Sequence, residues 1–383
     1  MFLTKLVFWA SIIEVVYAYL GYPFCLWVIS LLKGETKEKV EKGCEGYEPL
    51  VSLIITAFNE ERKIKDKIEN SLAQDYDRKR LEIIVTSDCS TDRTDDIVRE
   101  YKDAGIILVR IPERKGKESA QMEAIRVCRG DILVFSDAGT MLERDAIRKI
   151  AGNFWDKGVG CVSSRDKFIE PDGRLSGEGA YVRYEMFLRE LETKVGTLVG
   201  LSGSFFAARR EVCNNWAADL QSDFNTLLNS IKIGMKGILD PNSVGYYKNI
   251  ADSTKEFDRK VRTVVRGITV FKKNLNLLNF RKYGIFSWQL FSHKLCRWLV
   301  PISLILLFIS NLFLARSSWF YTTILMGQIF FYGVGSLGIL LNRNNSNWLR
   351  IPIFFVDVNV SILTAWVRYL RGERISLWQP SRR

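Results

Sequence analysis

Between residues 50 and 244, short apolar runs alternate with polar, charge-rich stretches. Residues 51–56, 81–86, 106–110 and 132–136 are rich in Val, Ile and Leu and have the length of buried strands. Residues 60–73 and 92–103 between them read as polar helices, and 116–129 sets Ala120, Ala124, Ile125 and Val127 for packing on a sheet. This rhythm predicts an α/β fold, Rossmann-like, with a mainly parallel sheet covered on both faces. Ligands of such sheets bind where strands end. Two strand ends carry an aspartate: one run enters Ser87-Asp88-Cys89-Ser90-Thr91-Asp92, the other Asp137-Ala138-Gly139-Thr140. Two such loops in one crevice suit a nucleotide.

Outside that region the pattern changes. Residues 6–32 are almost continuously apolar, interrupted by Glu14 and Pro23. A span needs about 20 residues, so this reads as an anchor, with no persuasive cleavage site. Residues 299–314 and 319–341 form a membrane hairpin around Arg316-Ser317-Ser318, and 283–298 mixes aromatics with Lys294 and Arg297, as an interfacial helix would. A last apolar stretch, 351–369, holds Asp357 and Asn359. The expected division is 1–32 anchor, 33–48 basic linker, 49–280 α/β domain, 281–298 interfacial helix, 299–341 hairpin, and 342–383 a third membrane or re-entrant segment with a basic tail.

Lys33, Lys37, Lys39 and Lys42 follow the first apolar segment, which puts that end and the α/β domain in the cytoplasm. A full crossing by the last segment would carry Arg368, Arg371, Arg374, Arg382 and Arg383 outside. An interfacial or re-entrant course is therefore favoured, with four full spans as the alternative.

Composition narrows the partners. The chain has 383 residues, too many for one small domain, and a formal charge of +12. Its basic residues cluster beside apolar segments, which favours membrane lipids or a phosphorylated ligand. No nucleic-acid motif is present. The seven cysteines are odd in number and form no C-x-x-C, against a disulfide framework or a zinc site. The one histidine, His293, lies in an apolar aromatic segment and offers no His-based triad.

Three motifs in order carry a resemblance: Thr56-Ala57-Phe58-Asn59-Glu60-Glu61, Ser87-Asp88-Cys89-Ser90-Thr91-Asp92 with Cys89 where glycine is usual, and Lys115-Gly116-Lys117 with Ala120. With them the chain resembles membrane-bound inverting glycosyltransferases of family 2, whose catalytic domain has the GT-A fold. The resemblance covers residues 50–266 and the membrane flanks. It implies that Thr56, Ala57 and Glu60 line the base and ribose end, that Asp88 holds the base, that Lys117 sits near the nucleotide, and that Asp137 lies by the ribose and diphosphate. Gly203 and Ser204, in the run 200–210, would border the acceptor. Asp223 would be the catalytic base that takes the acceptor proton, with Asp219 as competitor or helix cap. Ser90 and Asp92 also suit turn and helix capping, and Glu185, Arg189 and Glu192 suit an ion-pair network on one helix face or an acceptor wall.

Two departures stand out. The family's Asp-x-Asp is Asp137-Ala138-Gly139 here, so a Mg2+ or Mn2+ cofactor would rest on Asp137, phosphates and water. The Gln-x-x-Arg-Trp of polysaccharide synthases is replaced by Arg259-Lys260-Val261-Arg262-Thr263. Either Arg262 binds the diphosphate or this basic helix is a membrane foot. The resemblance implies transfer from a nucleotide-sugar donor, a UDP-sugar being favoured, to a lipid-linked glycan or polysaccharide acceptor at the inner face of a bacterial or archaeal inner membrane. Single transfer is favoured over processive synthesis. A non-catalytic nucleotide-sugar-binding scaffold of a glycan-assembly complex is the rival from another class.

Overall fold

The computed structural model describes residues 1–33, 46–169, 180–248, 253–341 and 350–375. Residues 34–45 of the expected basic linker, with Lys37, Lys39 and Lys42, and the tail residues 376–383, with Arg382 and Arg383, lie outside the described residues. The chain forms two compact units.

The α/β unit is built on an eight-stranded sheet with the order β3-β2-β1-β4-β7-β6-β8-β5. Its strands are β1 (Val51–Ala57), β2 (Leu81–Ser87), β3 (Ile106–Arg110), β4 (Ile132–Asp137), β5 (Met141–Leu142), β6 (Val159–Ile169), β7 (Phe205–Arg209) and β8 (Lys236–Lys248). β1 to β4 are the four expected strands, and all their mutual pairings are parallel. The second half of the sheet is mixed, with β7 antiparallel to both neighbours and β6 parallel to β8.

A core lies on each face. Leu53, Ile55, Ile83 and Val134 pack with Ile64 and Ile68 of helix Ile64–Leu72. Ile54, Ile84, Leu133 and Phe135 pack with Ala124 of helix Lys117–Val127. Alternate residues of one strand therefore face opposite cores, as the pleat requires. Register carries Thr56 level with both Asp137 and Thr86, so these three side chains emerge on the face covered by helix Lys117–Val127.

In the membrane unit, four helical runs among the described residues are long and apolar enough to cross a membrane: Phe2–Lys33, Ile285–Ser317, Trp319–Leu340 and Arg350–Leu370. The expected interfacial helix and the first hairpin arm are one continuous run, because no glycine or proline breaks residues 285–297. Asn311 donates to Gln328 at 3.1 Å and Phe308 meets Tyr332, so the hairpin arms run antiparallel. The first helix packs on them with Phe8 against Leu307, Leu314 and Tyr321.

The last helix takes a different course. A Cβ on Gly338 would stand 2.4 Å from Ile353, and one on Gly335 2.5 Å from Val356, so its first turns fit closely against the end of Trp319–Leu340. Thirteen residues beyond Ile353, about 20 Å along a helix, Trp366 donates to the Trp298 carbonyl at 2.8 Å. Both contacts lie at the hairpin end opposite its connecting turn. Arg350–Leu370 thus lies across that end and not along the arms. Asp357 within it is ion-paired with Lys260 of helix Ser253–Lys273 at 2.7 Å, which accounts for a carboxylate in an apolar segment.

Candidate active site

The loops after β1 and β2 clasp each other. Asn59 and Cys89 sit in the left-handed region with φ of 53° and 58°. That conformation is the physical reason glycine is usual at the Cys89 position. Asn59 N–H donates to Ser90 Oγ at 3.2 Å, Thr91 N–H to Asn59 Oδ1 at 2.8 Å, and Glu60 N–H to Thr94 Oγ1 at 2.8 Å. Asp92 accepts from Thr94 N–H at 3.0 Å and from Glu61 N–H at 3.1 Å. Its carboxylate thus ties the start of helix Thr94–Glu100 to the loop after β1.

Asp88 is fully buried, and its carboxylate accepts backbone N–H bonds from Lys115 at 2.9 Å and Gly116 at 3.0 Å. Gly116, at φ 96°, lets the loop turn into helix Lys117–Val127. This differs from the expectation that Asp88 holds a base: its oxygens face the chain itself and order the Lys115–Lys117 turn. Thr56 and Ala57 also have no exposed surface, so they shape the crevice from below and do not line it. Glu60 is 8% exposed, with its carboxylate 3.3 Å from Lys63, and burial pushes its carboxyl up.

At the end of β4 the ordered turn delivers Lys117. Its ammonium is ion-paired with Asp137 and donates to the Gly203 carbonyl at 2.9 Å. Asp137 N–H donates to the Ser204 carbonyl at 3.0 Å. Gly203 is exposed, and a Cβ placed on it would stand 3.2 Å from Asp223 Oδ2. Asp223 lies in the first turn of helix Ser222–Lys232 and accepts from Gln221 Nε2 at 3.1 Å. Lys117, Asp137, Gly203, Ser204 and Asp223 are therefore brought together. Asp219 is ion-paired with Lys273 on the surface and does not cap the Asp223 helix. Arg262 is on helix Ser253–Lys273 in the membrane unit, where burial and then Arg266 and Arg259 push its pKa down.

Two charged residues here carry no motif. Lys67 is fully buried, donates to Ser136 Oγ at 2.8 Å and to the Thr140 carbonyl at 2.6 Å, and burial lowers its pKa to about 7. It braces the Asp137-Ala138-Gly139-Thr140 turn from beneath. Asp166 on β6 accepts from Ser202 and Ser204. A Lys in a polar helix and an Asp in the Ser-rich stretch 163–166 look like surface residues; only the folding of those segments over the site reveals them. Helix Ala180–Val195 buries Glu192 completely and brings Arg189 to 3.5 Å from Ser163 Oγ.

Residues 52–216 match the family model described as Glycosyl transferase family 2. An N-acetylglucosaminyltransferase of Azorhizobium caulinodans is 35% identical over 118 residues, 30% of this chain and 30% of that protein. A poly-beta-1,6-N-acetyl-D-glucosamine synthase of Staphylococcus aureus is 27% identical over 160 residues, 40% of this chain and 38% of that protein. A chondroitin synthase of Escherichia coli is 29% identical over 217 residues, 56% of this chain and 29% of that protein. The matches thus span less than two-fifths of each of these relatives. Among solved structures, the mannosyltransferase PcManGT of Pyrobaculum calidifontis, in complex with GDP-Man and Mn2+, aligns with a TM-score of 0.71 and 21% identity over 95% of this chain and 99% of that one. That likeness is one of fold. The α/β unit is a GT-A domain, and residues 52–216 are similar to glycosyl transferase family 2.

Proposed function

We propose that this protein is an inverting glycosyltransferase. It moves a sugar from a nucleotide sugar, a UDP-sugar being the favoured donor, to a hydroxyl of a lipid-linked glycan or polysaccharide at the cytoplasmic membrane face. The observation that carries this reading is the position of Gly203: exposed, bonded to Lys117 through its carbonyl, and so near Asp223 that a Cβ on it would stand 3.2 Å from the carboxylate. A cation for the diphosphate and a carboxylate for the acceptor thus stand on either side of one open stretch of backbone.

The acceptor oxygen attacks the anomeric carbon as Asp223 takes its proton, and the bond from that carbon to the diphosphate oxygen breaks. The electron pair leaves with the nucleoside diphosphate, whose added charge Lys117 is placed to stabilise. No covalent nucleophile is required, because one displacement inverts the anomeric centre. Asp88 acts one step back, by holding the turn that aims Lys117.

A divalent cation fits this site in one form. Mg2+ is commonly held through one or two carboxylates, substrate phosphates and water. Asp137 supplies one carboxylate and Gly139 supplies none. Among the described residues no group of three His, Cys, Asp or Glu could hold a metal without a ligand's help. Asp137 would hold the ion after releasing Lys117 to the phosphates. Such an ion would neutralise diphosphate charge.

The course of the last helix supports a cytoplasmic catalytic domain. If the hairpin turn near Ser317 faces outward, the helix Arg350–Leu370 lies at the inner interface, and Arg368, Arg371 and Arg374 stay inside, as the positive-inside tendency asks. Three apolar runs would then cross the membrane.

The synthase relatives favour one second reading, processive polymer formation. The replaced Gln-x-x-Arg-Trp weighs toward single transfer, and counting sugars added per acceptor separates the two. The test of the main reading is nucleoside diphosphate release by the full chain in native-lipid nanodiscs, across a panel of nucleotide sugars with native lipid extract as acceptor. One donor turning over supports it; release from none of them, with folded protein, contradicts it.

A further inference from the structure

Asp166 takes no part in the reaction above, yet it holds the exposed turn on which that reaction depends. From β6 its Oδ2 accepts from Ser202 Oγ at 2.5 Å and its Oδ1 from Ser204 Oγ at 2.7 Å. The two hydroxyls are also 3.0 Å from each other. These serines flank Gly203. Outside them the turn is tied at two more points, by Ser202 N–H to Ser163 Oγ at 2.8 Å and by the Ser204 carbonyl to Asp137 N–H at 3.0 Å.

The residue between has no side chain to anchor it. Its carbonyl meets Lys117, and a Cβ on it would stand 3.2 Å from Asp223. A shift of this turn would therefore change the backbone that faces Asp223, while Lys117 keeps its ion pair with Asp137. Asp166 sits on β6 opposite Gly245 of β8, a firmer support than a loop. One carboxylate can accept from both serines at once, whereas an amide at the same place has one acceptor oxygen and a donor group.

We propose that Asp166 is a positioning residue of the acceptor side: by accepting from Ser202 and Ser204 it fixes Gly203 at the spacing from Lys117 and Asp223 that transfer requires. This rests on the glycosyl-transfer reading. Lys117 is held by Asp137, and the Lys115–Lys117 turn by Asp88, so loss of Asp166 acts on the transfer step and not on nucleotide binding.

The test uses the full chain in native-lipid nanodiscs as wild type, Asp166→Asn, the double variant Ser202→Ala/Ser204→Ala, and the triple variant. For Asp166→Asn, kcat for acceptor-dependent release falls about tenfold to a hundredfold, the scale of a misplacement near 1 Å. The donor KM and the Kd for nucleoside diphosphate stay within about twofold, because the Lys117 end is untouched. The serine double variant gives a loss like that of Asp166→Asn, and the triple variant is no worse, since one linkage is cut each time. Should Asp166→Asn fail to fold, the serine variants carry the same expectation. Equal kcat in wild type and the variants overturns the proposal alone, as does a parallel loss of nucleotide binding and kcat. No release by wild type from any donor removes the transfer reading first and this proposal with it.

Discussion

Lys117 is ion-paired with Asp137 and hydrogen-bonded to the Gly203 carbonyl at 2.9 Å. It thereby joins the end of β4 to the turn before β7, the two segments between which a donor and an acceptor would meet. The ammonium is nine-tenths buried, so its interactions act with little screening by water.

Replacing Lys117 by Met is expected to weaken nucleoside diphosphate binding by roughly tenfold to a hundredfold, the loss of charge-assisted hydrogen bonds of about 1.5–3 kcal/mol. Titration calorimetry measures this directly. Unchanged affinity would take Lys117 out of the nucleotide site.

Gly139 occupies the place of the second carboxylate. A Cβ there meets only Lys63 Cδ at 3.9 Å, so a side chain has room. Gly139→Asp is expected to tighten Mn2+-dependent nucleotide binding by about tenfold, or ~1.4 kcal/mol. Calorimetry with and without Mn2+ reads it, and Asp137→Asn is expected to abolish the Mn2+ dependence. Affinity that ignores both substitutions would place no cation at this loop.

Much of this site was legible before folding. Asp88, Lys117, Asp137 and Asp223 lie at strand ends or helix starts, where local pattern and motif coincide. The four parallel strands were legible too, because both-face burial demands continuous Val and Ile runs. Strands β6 to β8 were not: β6 mixes Ser163, Ser164, Arg165 and Asp166 into its length, and those polar groups are satisfied only by partners far along the chain, such as Ser202 and Ser204. The partners of Asp88 are hidden for a related reason. Its place in a motif marks it as important, but only the fold reveals that its oxygens bind Lys115 and Gly116.

Lys67 makes the domain's stability depend on pH. Its folded pKa, about 7, lies below its ordinary value of 10.5. Between those values the unfolded chain binds the proton and the folded one does not, so stability rises as pH rises from 7 toward 10.5, by up to about 1.4 kcal/mol per unit. Below pH 7 both states are protonated and this contribution is flat. Thermal unfolding of wild type should show that slope, and Lys67→Met should lose most of it.

Cys89 holds a left-handed backbone conformation at φ 58°. Cys89→Gly is expected to retain or raise the melting temperature, whereas Cys89→Val should cost about 1–3 kcal/mol, the range for a strained side chain there. Equal melting temperatures for the two variants would remove backbone strain as the reason for glycine at this position.

The membrane arrangement predicts a labelling pattern. In intact cells, a cysteine at Ser317 should react with an impermeant maleimide, and one at Arg374 should react only after permeabilisation. Labelling of Arg374→Cys from outside would mean that Arg350–Leu370 crosses the membrane.

The central claim is that Asp223 deprotonates an acceptor activated beside a nucleotide sugar. The most direct measurement compares wild type and Asp223→Asn in nanodiscs, following acceptor-dependent nucleoside diphosphate release and nucleotide affinity on the same samples. The account predicts that release falls by about a hundredfold to ten-thousandfold, the usual worth of a positioned base, with affinity unchanged. Release at the wild-type rate from Asp223→Asn would contradict it.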